Sequence, residues 1–301
     1  MSPARPAGPH VDAEGRVVVI TGATSGIGKE AAVAMARRGA TVVLACRNPT
    51  RTRTALAEVR RRSGGDVASV PLDLASLASV RACAAEVLDR WDRLDVLVNN
   101  AGGVLSDRLV TDDGFEMTFG VNHLGPFLLT DLLLDRLRSS APARIVNVAS
   151  VAHRYATAGV SWASLDRTGG YRATDVYAES KLANVLLTLE LARRLEGSGV
   201  TATCCHPGAV RSGFGADRDT RGVQRALLAA GRPFFVSPRR GAAPLISLAL
   251  DERWQGRTGL YVVGGYVPGL HVHRPSRQAR DEAAAAELWR RSQALVATGA
   301  R

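Results

Sequence analysis

The sequence predicts the α/β class, with a doubly wound parallel sheet carrying helices on both faces within a single domain. Two observations predict it. Short apolar runs alternate with helix-period stretches along most of the 301 residues, and strands that alternate with helices pair in parallel under helical cover. The composition is 46% hydrophobic, enough at this length for one large core, and neither a repeat nor a linker marks a boundary.

Residues 1–14, rich in Pro, Ala and Gly up to Val11, are expected to form a disordered lead, and the domain then runs over 15–301. The run Arg16–Ile20 reads as a buried strand, followed by a glycine turn and a helix over Gly28–Arg38. Then come a strand at Thr41–Ala45, a helix over Thr50–Arg62, a strand at Val67–Pro71, a helix over Ser76–Trp91 and a strand at Asp95–Val98. One long helix is expected over Asp113–Ser139, then strand Arg144–Ala149, helix Thr174–Gly197, strand Val200–Cys205, helix Ser237–Leu250, strand Leu260–Val263 and helix Gln278–Ala297. The irregular stretches 153–173 and 207–238 are the expected substrate loops.

The net charge is +11 with a pI near 10.4, which alone would permit a polyanion partner. The arginines are scattered singly and in pairs, with no basic stripe interleaved with aromatics, so they read as solvated helix faces and no nucleic-acid partner is expected. Cys46, Cys83, Cys204 and Cys205 show no metal spacing, and the adjacent pair cannot readily bridge. No metal site follows from them, and a reducing, cytoplasmic setting fits. The lead has no apolar core of a secretion signal, and no run is long enough to span a bilayer, so no membrane partner is expected.

Val17–Ile20 passes directly into Thr21-Gly22-Ala23-Thr24-Ser25-Gly26-Ile27-Gly28 and then a helix. Glycines there let the backbone approach a pyrophosphate, and the helix N-terminus presents unpaired N–H groups to it. Gly22, Thr24, Ser25, Gly26, Ile27 and Gly28 are therefore candidate dinucleotide contacts. A binder of unphosphorylated NAD places an acid about 20 residues past this loop, whereas arginine accommodates a 2′-phosphate. This chain offers Arg47 and Asn48, with no acidic residue until Glu58, so the expected cofactor is NADP(H).

Tyr177 and Lys181 lie four residues apart, which puts a phenol and an ammonium on one helix face. Lys29 and Lys181 are the only lysines in the chain. For a phenol titrating near 10 to act at pH 7–8 demands about 3–4 kcal/mol. An ammonium about 4 Å away at an effective dielectric of about 20 supplies on the order of 4 kcal/mol. Ser150 closes the apolar strand Ile145–Ala149 at the sheet edge where ligands sit, and its hydroxyl can donate to a substrate oxygen.

The Gly-x-x-x-Gly-x-Gly spacing resembles that of the short-chain dehydrogenase/reductase family, and the likeness extends over roughly Gly15–Val267. The resemblance implies a Rossmann-like fold and further site residues. Asn99-Asn100-Ala101-Gly102 matches a segment that stabilises the sheet and lies beside the cofactor. Asp73-Leu74 matches an adenine-contacting pair, and Pro207-Gly208, with Val210 and Ser212, matches the turn leading to the nicotinamide. Asn122 in Val121–Gly125 matches the asparagine whose backbone contacts a water linked to the lysine; a helix-kink role is the alternative. The stretches Ser180–Leu187 and Leu191–Gly197, and the helix carrying Leu288-Trp289, are similar to the branch of retinol dehydrogenases and related carbonyl reductases. Animal members of that branch often begin with a membrane anchor; none is read in residues 1–14, so membrane attachment and retinoid specificity are not expected to carry over.

The expected reaction is carbonyl–alcohol interconversion on a small molecule. Tyr177 gives the proton, Ser150 orients the oxygen, Lys181 lowers the phenol's pKa and grips the nicotinamide ribose, and Asn122 completes the proton path. His153, Tyr155, Trp162, Tyr171, Phe214, Phe234 and Phe235 either line a pocket for a bulky apolar ketone, aldehyde or ring alcohol or pack the loops. His123, His153 and His206 read as structural sooner than catalytic. Leu182, Leu186 and Leu189 lie away from the catalytic face, to be covered by a second subunit in a homo-oligomer or by intramolecular core. A sugar-nucleotide epimerase or dehydratase would use Gly-x-x-Gly-x-x-Gly and a longer substrate domain, both absent. A non-catalytic NADP(H)-binding sensor or regulatory protein is the other alternative; such proteins commonly lose the tyrosine or the lysine, and both stand here.

Overall fold

Residues 13–162, 171–210, 236–264 and 269–298 are described in the computed structural model of the chain. Their elements run β1 (Val17–Thr21), α1 (Gly26–Arg37), β2 (Thr41–Cys46), α2 (Pro49–Ser63), β3 (Val67–Pro71), α3 (Leu77–Arg90), β4 (Val96–Asn99), α4 (Gly125–Ser139) and β5 (Ala143–Val148). Then follow α5 (Ala173–Arg194), β6 (Val200–His206), α6 (Ala243–Leu250), β7 (Leu260–Val263), β8 (His271–Val272) and α7 (Glu282–Thr298). The sheet order is β3-β2-β1-β4-β5-β6-β7-β8. Pairing is parallel up to β7, and β8 joins β7 antiparallel.

Successive strand side chains point to opposite faces, so the apolar runs feed two cores. Val17, Val19, Leu97 and Ile145 pack with Leu128, Leu133 and Leu187 from α4 and α5. Val18, Ile20, Val96, Val98 and Val146 pack with Ala31 and Met35 of α1 and Leu245 and Leu248 of α6. Burying each such large side chain contributes roughly 1.5–3 kcal/mol. The order reverses between β1 and β4, which opens a crevice at the carboxyl ends of these strands.

Three features depart from the sequence expectation. The lead ends earlier than residue 14: Ala13 is fully buried and its N–H donates to the Arg38 carbonyl at 2.9 Å. The helix expected over Asp113–Ser139 begins only at Met117 and passes through a π-helical stretch at Gly120–Leu124 into α4. Pro126, at the start of α4, has no N–H to close an α-helical bond onto residue 122, which suits the wider π-helical turns before it. The strand β8 is only two residues long, too short for any alternation to be visible.

α7 packs across α5 and α4, and of the two covers open to the leucines of α5, intramolecular core applies to Leu182 and Leu186, while Leu189 is half-buried beside Gly259. Leu182 and Leu186 are 0% and 2% exposed, in one cluster with Leu288 and Trp289. The Trp289 ring meets Phe127 edge-on at 5.0 Å between centroids, and the Arg194 guanidinium sits 4.4 Å above it. Buried Glu190 holds Arg193 and Arg194 at 2.7 and 2.6 Å. No helix among the described residues is long and apolar enough to cross a membrane.

Candidate active site

The glycine loop joins β1 to α1 at the crevice. Gly22 (φ 68°) and Gly26 (φ 60°) occupy left-handed backbone, which only glycine adopts without strain. Gly28 is needed for a different reason: a β-carbon there would lie 2.4 Å from Asn100 Nδ2. That amide donates to the Thr21 carbonyl at 2.7 Å, and the Thr21 hydroxyl accepts the N–H groups of Asn100 and Ala101, each at 3.0 Å. The segment after β4 thus props the loop from below, with the Ala101 methyl against Gly22.

The N-termini of α2 and α3 are capped by Asn48 and Ser76, whose side chains accept from Arg51 and Ser79. The N-terminus of α1 has no side-chain cap, although Ser25 stands at the capping position. Its first-turn N–H groups and the positive end of a 12-residue helix therefore face the crevice, which suits the pyrophosphate of a dinucleotide. The residues present fit that group. Arg47 is exposed directly after buried Cys46. Glu58, the first acid beyond Arg47, is already engaged by Lys29 at 2.7 Å and Arg62 at 3.1 Å. Asp73 accepts from the Ala75 N–H at 3.0 Å, and Leu74 is buried against Gly125.

Tyr177 and Lys181 stand one turn apart on α5, and Ser150 lies just beyond β5, hydrogen-bonded to the Tyr177 hydroxyl. The Ser150 hydroxyl also caps the 3₁₀ turn Val151–Tyr155 by accepting from the Ala152 N–H at 3.1 Å. Lys181 Nζ donates to the Val148 carbonyl at 3.0 Å and lies 5.7 Å from the centroid of the Tyr177 ring. A β-carbon on Gly102 would sit 3.0 Å from Asn122 Oδ1 and 3.3 Å from Lys181 Nζ, so these three residues converge. The Asn122 side chain accepts from the Gly103 N–H at 2.8 Å and donates to the Gly103 carbonyl at 2.9 Å and Ser180 Oγ at 3.0 Å. Pro126 has no N–H to give the Asn122 carbonyl the bond an α-helix would make there.

The electrostatics differ from the expectation. Burial pushes the Tyr177 phenol up to about 12, with the Ser150 bond working the other way. Burial also pulls Lys181 down to about 8. Lys181 lies 5.7 Å from the ring centroid and is tied to Val148, so it does not pull the phenol down to neutrality as expected of an ammonium about 4 Å away. At pH 7 the phenol is held protonated, beside an amine that titrates close to physiological pH.

Pro207 and Gly208 follow β6, with Gly208 at φ 88°. Val210 bridges Val236 and packs near Ile27, which brings this turn against the glycine loop. Ser212, Phe214, Phe234 and Phe235 lie outside the described residues. Trp162 and Tyr171 are loop packing: Trp162 meets Phe119 edge-on at 6.2 Å beneath Arg291, and the Tyr171 hydroxyl donates to the Leu105 carbonyl at 3.1 Å. Tyr155 is 77% exposed and Val151 is 41% exposed, at the two ends of the 3₁₀ turn that follows Ser150. His123 is buried with Nε2 on Ser292 Oγ at 2.9 Å, and burial holds it down to about 3. His206, buried at the end of β6, is pulled down to about 4.

Sequence reasoning missed a buried polar chain behind the site. Asn99 Nδ2 donates to Asn147 Oδ1 and Thr130 Oγ1, each at 2.9 Å, and Asn147 Nδ2 donates to Thr188 Oγ1 at 3.0 Å. It stitches β4 to β5 and β5 to α5. An asparagine inside the apolar run Ile145–Ala149 was the available signal.

Fold and site together define an NAD(P)-dependent oxidoreductase that acts on alcohol or carbonyl groups. The chain matches the short chain dehydrogenase model over residues 16–221 and belongs to the short-chain dehydrogenase/reductase family. Human retinol dehydrogenase 13 is 42% identical over 288 residues, spanning 94% of this chain and 85% of its own. Human dehydrogenase/reductase SDR family member 13 is 43% identical over 303 residues, spanning 98% of this chain and 77% of its own. Among solved structures, a Mycobacterium paratuberculosis protein aligns with a TM-score of 0.76 at 36% identity over 96% of both chains. The Pseudomonas aeruginosa RhlG/NADP active-site complex aligns with 0.67 at 29% identity, covering 86% of this chain and 99% of its own.

Proposed function

We propose that this protein reduces a bulky, apolar aldehyde or ketone with NADPH, and oxidises the alcohol in reverse. The observation that carries the reading is the convergence of Tyr177, Ser150 and Lys181 at the crevice that the uncapped N-terminus of α1 faces. Bound NADPH supplies a hydride to the carbonyl carbon. Ser150 orients the carbonyl oxygen, and Tyr177 gives that oxygen its proton, which the protonated state of the phenol suits. The proton on Tyr177 is restored through Lys181, whose amine near 8 both holds and releases protons at neutral pH, and by way of Asn122. Gly22, Thr24, Ser25, Gly26, Ile27 and Gly28 would hold the pyrophosphate, and Asp73 and Leu74 the adenine. Asn100, Ala101, Gly102, Pro207, Gly208, Val210 and Ser212 would flank the remainder.

The choice of NADPH rests on Arg47 standing exposed after β2, with the nearest acid in sequence, Glu58, committed to Lys29 and Arg62. The NADP complex of the RhlG relative supports it. An apolar substrate is supported by exposed Val151 and Tyr155 in the turn that follows Ser150, and by relatives named as retinol dehydrogenases. Tyr177→Phe should lower turnover of a carbonyl panel by at least 10³-fold while NADPH binding stays within twofold, read by NADPH absorbance and fluorescence. Unchanged turnover removes Tyr177 from the mechanism. NADPH binding by the wild type with no turnover of any carbonyl would favour a sensor.

A further inference from the structure

We propose that His153 is a positioning residue for Ser150, and that through it the C-terminal segment around Ser276 becomes part of the support of the active site. The proposal rests on the reading of Ser150 given above. His153 is fully buried in the 3₁₀ turn that begins right after Ser150. Its Nδ1 lies 2.7 Å from the Ser150 carbonyl, and its Nε2 lies 3.1 Å from the Ser276 backbone nitrogen.

These two partners fix the tautomer. A backbone N–H can only donate, so Nε2 must accept, and the ring proton therefore resides on Nδ1, where it donates to the carbonyl of Ser150. The ring stands edge-on to Tyr261 of β7 at 5.0 Å between centroids, which removes its freedom to rotate. Both edges of one neutral imidazole are thus used, one on the serine's own peptide and the other on a chain segment 123 residues away.

Two further bonds join the same pair of segments. Arg154 Nη2 donates to the Arg274 carbonyl at 2.8 Å, and Gln278 Nε2 donates to the Thr157 carbonyl at 2.8 Å. The turn that carries Ser150 is therefore clamped from 274–278, and the imidazole is the member of the clamp that grips the serine itself. Hydroxyl placement matters at this scale, since a displacement near 1 Å costs about 100-fold in rate.

Two substitutions separate the two bonds. His153→Asn places an amide nitrogen near Nδ1 and keeps the donor to Ser150, whereas His153→Gln places an amide oxygen near Nε2 and keeps the acceptor for Ser276. With saturating NADPH, His153→Gln should lower single-turnover kcat by about tenfold or more, with the NADPH Kd within twofold. His153→Asn should stay within threefold of wild-type kcat while amide exchange across 274–278 accelerates. Equal kcat in His153→Gln and wild type, or the reverse order of the two variants, overturns the proposal. Should either variant fold poorly, ¹⁵N spectra of the wild-type imidazoles decide it: a proton on Nδ1 of His153 is required, and a proton on Nε2 refutes it. Ser150→Ala is measured alongside. If it retains full turnover, the reading of Ser150 fails; if it is inactive while His153→Gln is unaffected, only the role of His153 fails.

Discussion

Acid should weaken this fold in a pH range where its carboxylates are still silent. His123 and His206 are held neutral by burial, titrating at about 3 and about 4 when folded, against about 6.5 in an unfolded chain. A depressed folded pKa means that the unfolded chain binds the proton first. The stabilisation is complete above 6.5, declines as pH falls below it, and is exhausted near the folded value. Between pH 7.0 and 5.5 each of the two should lose about 1.3 kcal/mol, or roughly 2.5 kcal/mol together, and His153 shifts in the same direction. The carboxylates lowered by ion pairs, Glu30, Glu58, Glu190 and Glu287, lose their contribution only below about 4.5. Lys181, at about 8 when folded, has already made its change by pH 7. Urea unfolding at the two pH values reads the effect: with a slope of about 3 kcal/mol/M, the midpoint should fall by close to 1 M. His123→Gln should remove about half of that fall. A midpoint that is the same at pH 7.0 and 5.5 would refute the claim that these rings are buried and neutral.

Three further outcomes follow from the geometry. Gly28→Ala drives a methyl into the Asn100 amide; cofactor fluorescence titration should show Kd raised at least tenfold, and urea unfolding a loss of about 2–4 kcal/mol. Asn147→Ala strips Asn99 Nδ2 of one acceptor and Thr188 of its donor, and urea unfolding should show about 2–3 kcal/mol lost, with activity following stability. Arg47→Glu should raise the KM for NADPH more than tenfold while improving NADH, and a preference unchanged in steady-state kinetics would remove Arg47 from cofactor choice.

Local patterns made much of this legible. The runs Arg16–Ile20, Thr41–Ala45 and Val67–Pro71 could be assigned as strands because β-branched stretches punctuated by glycine and polar turns have few other uses. The tyrosine–lysine pair could be placed together because four residues is one helical turn. What escaped needed partners distant in sequence. Nothing near His153 announces that Ser276 will meet its ring, and nothing near Leu182 announces that α7 will cover it. The π-helical stretch before α4 is foreshadowed in the sequence only by the helix-kink alternative for Asn122, since the apolar periodicity continues across it. The phenol's pKa was misjudged because a charge–charge estimate counts the ammonium but omits the desolvation of both groups, which wins here.

The bracing of the Ser150 turn by residues 274–278 bears on how the protein comes into being at the ribosome. Ser150, Tyr177 and Lys181 are all synthesised before residue 182, yet the turn behind Ser150 is braced by Ser276 through His153. A growing polypeptide can therefore display the whole chemical set while its final brace is still inside the exit tunnel. Competence to turn over substrate should arrive only once residues 274–278 have left the ribosome.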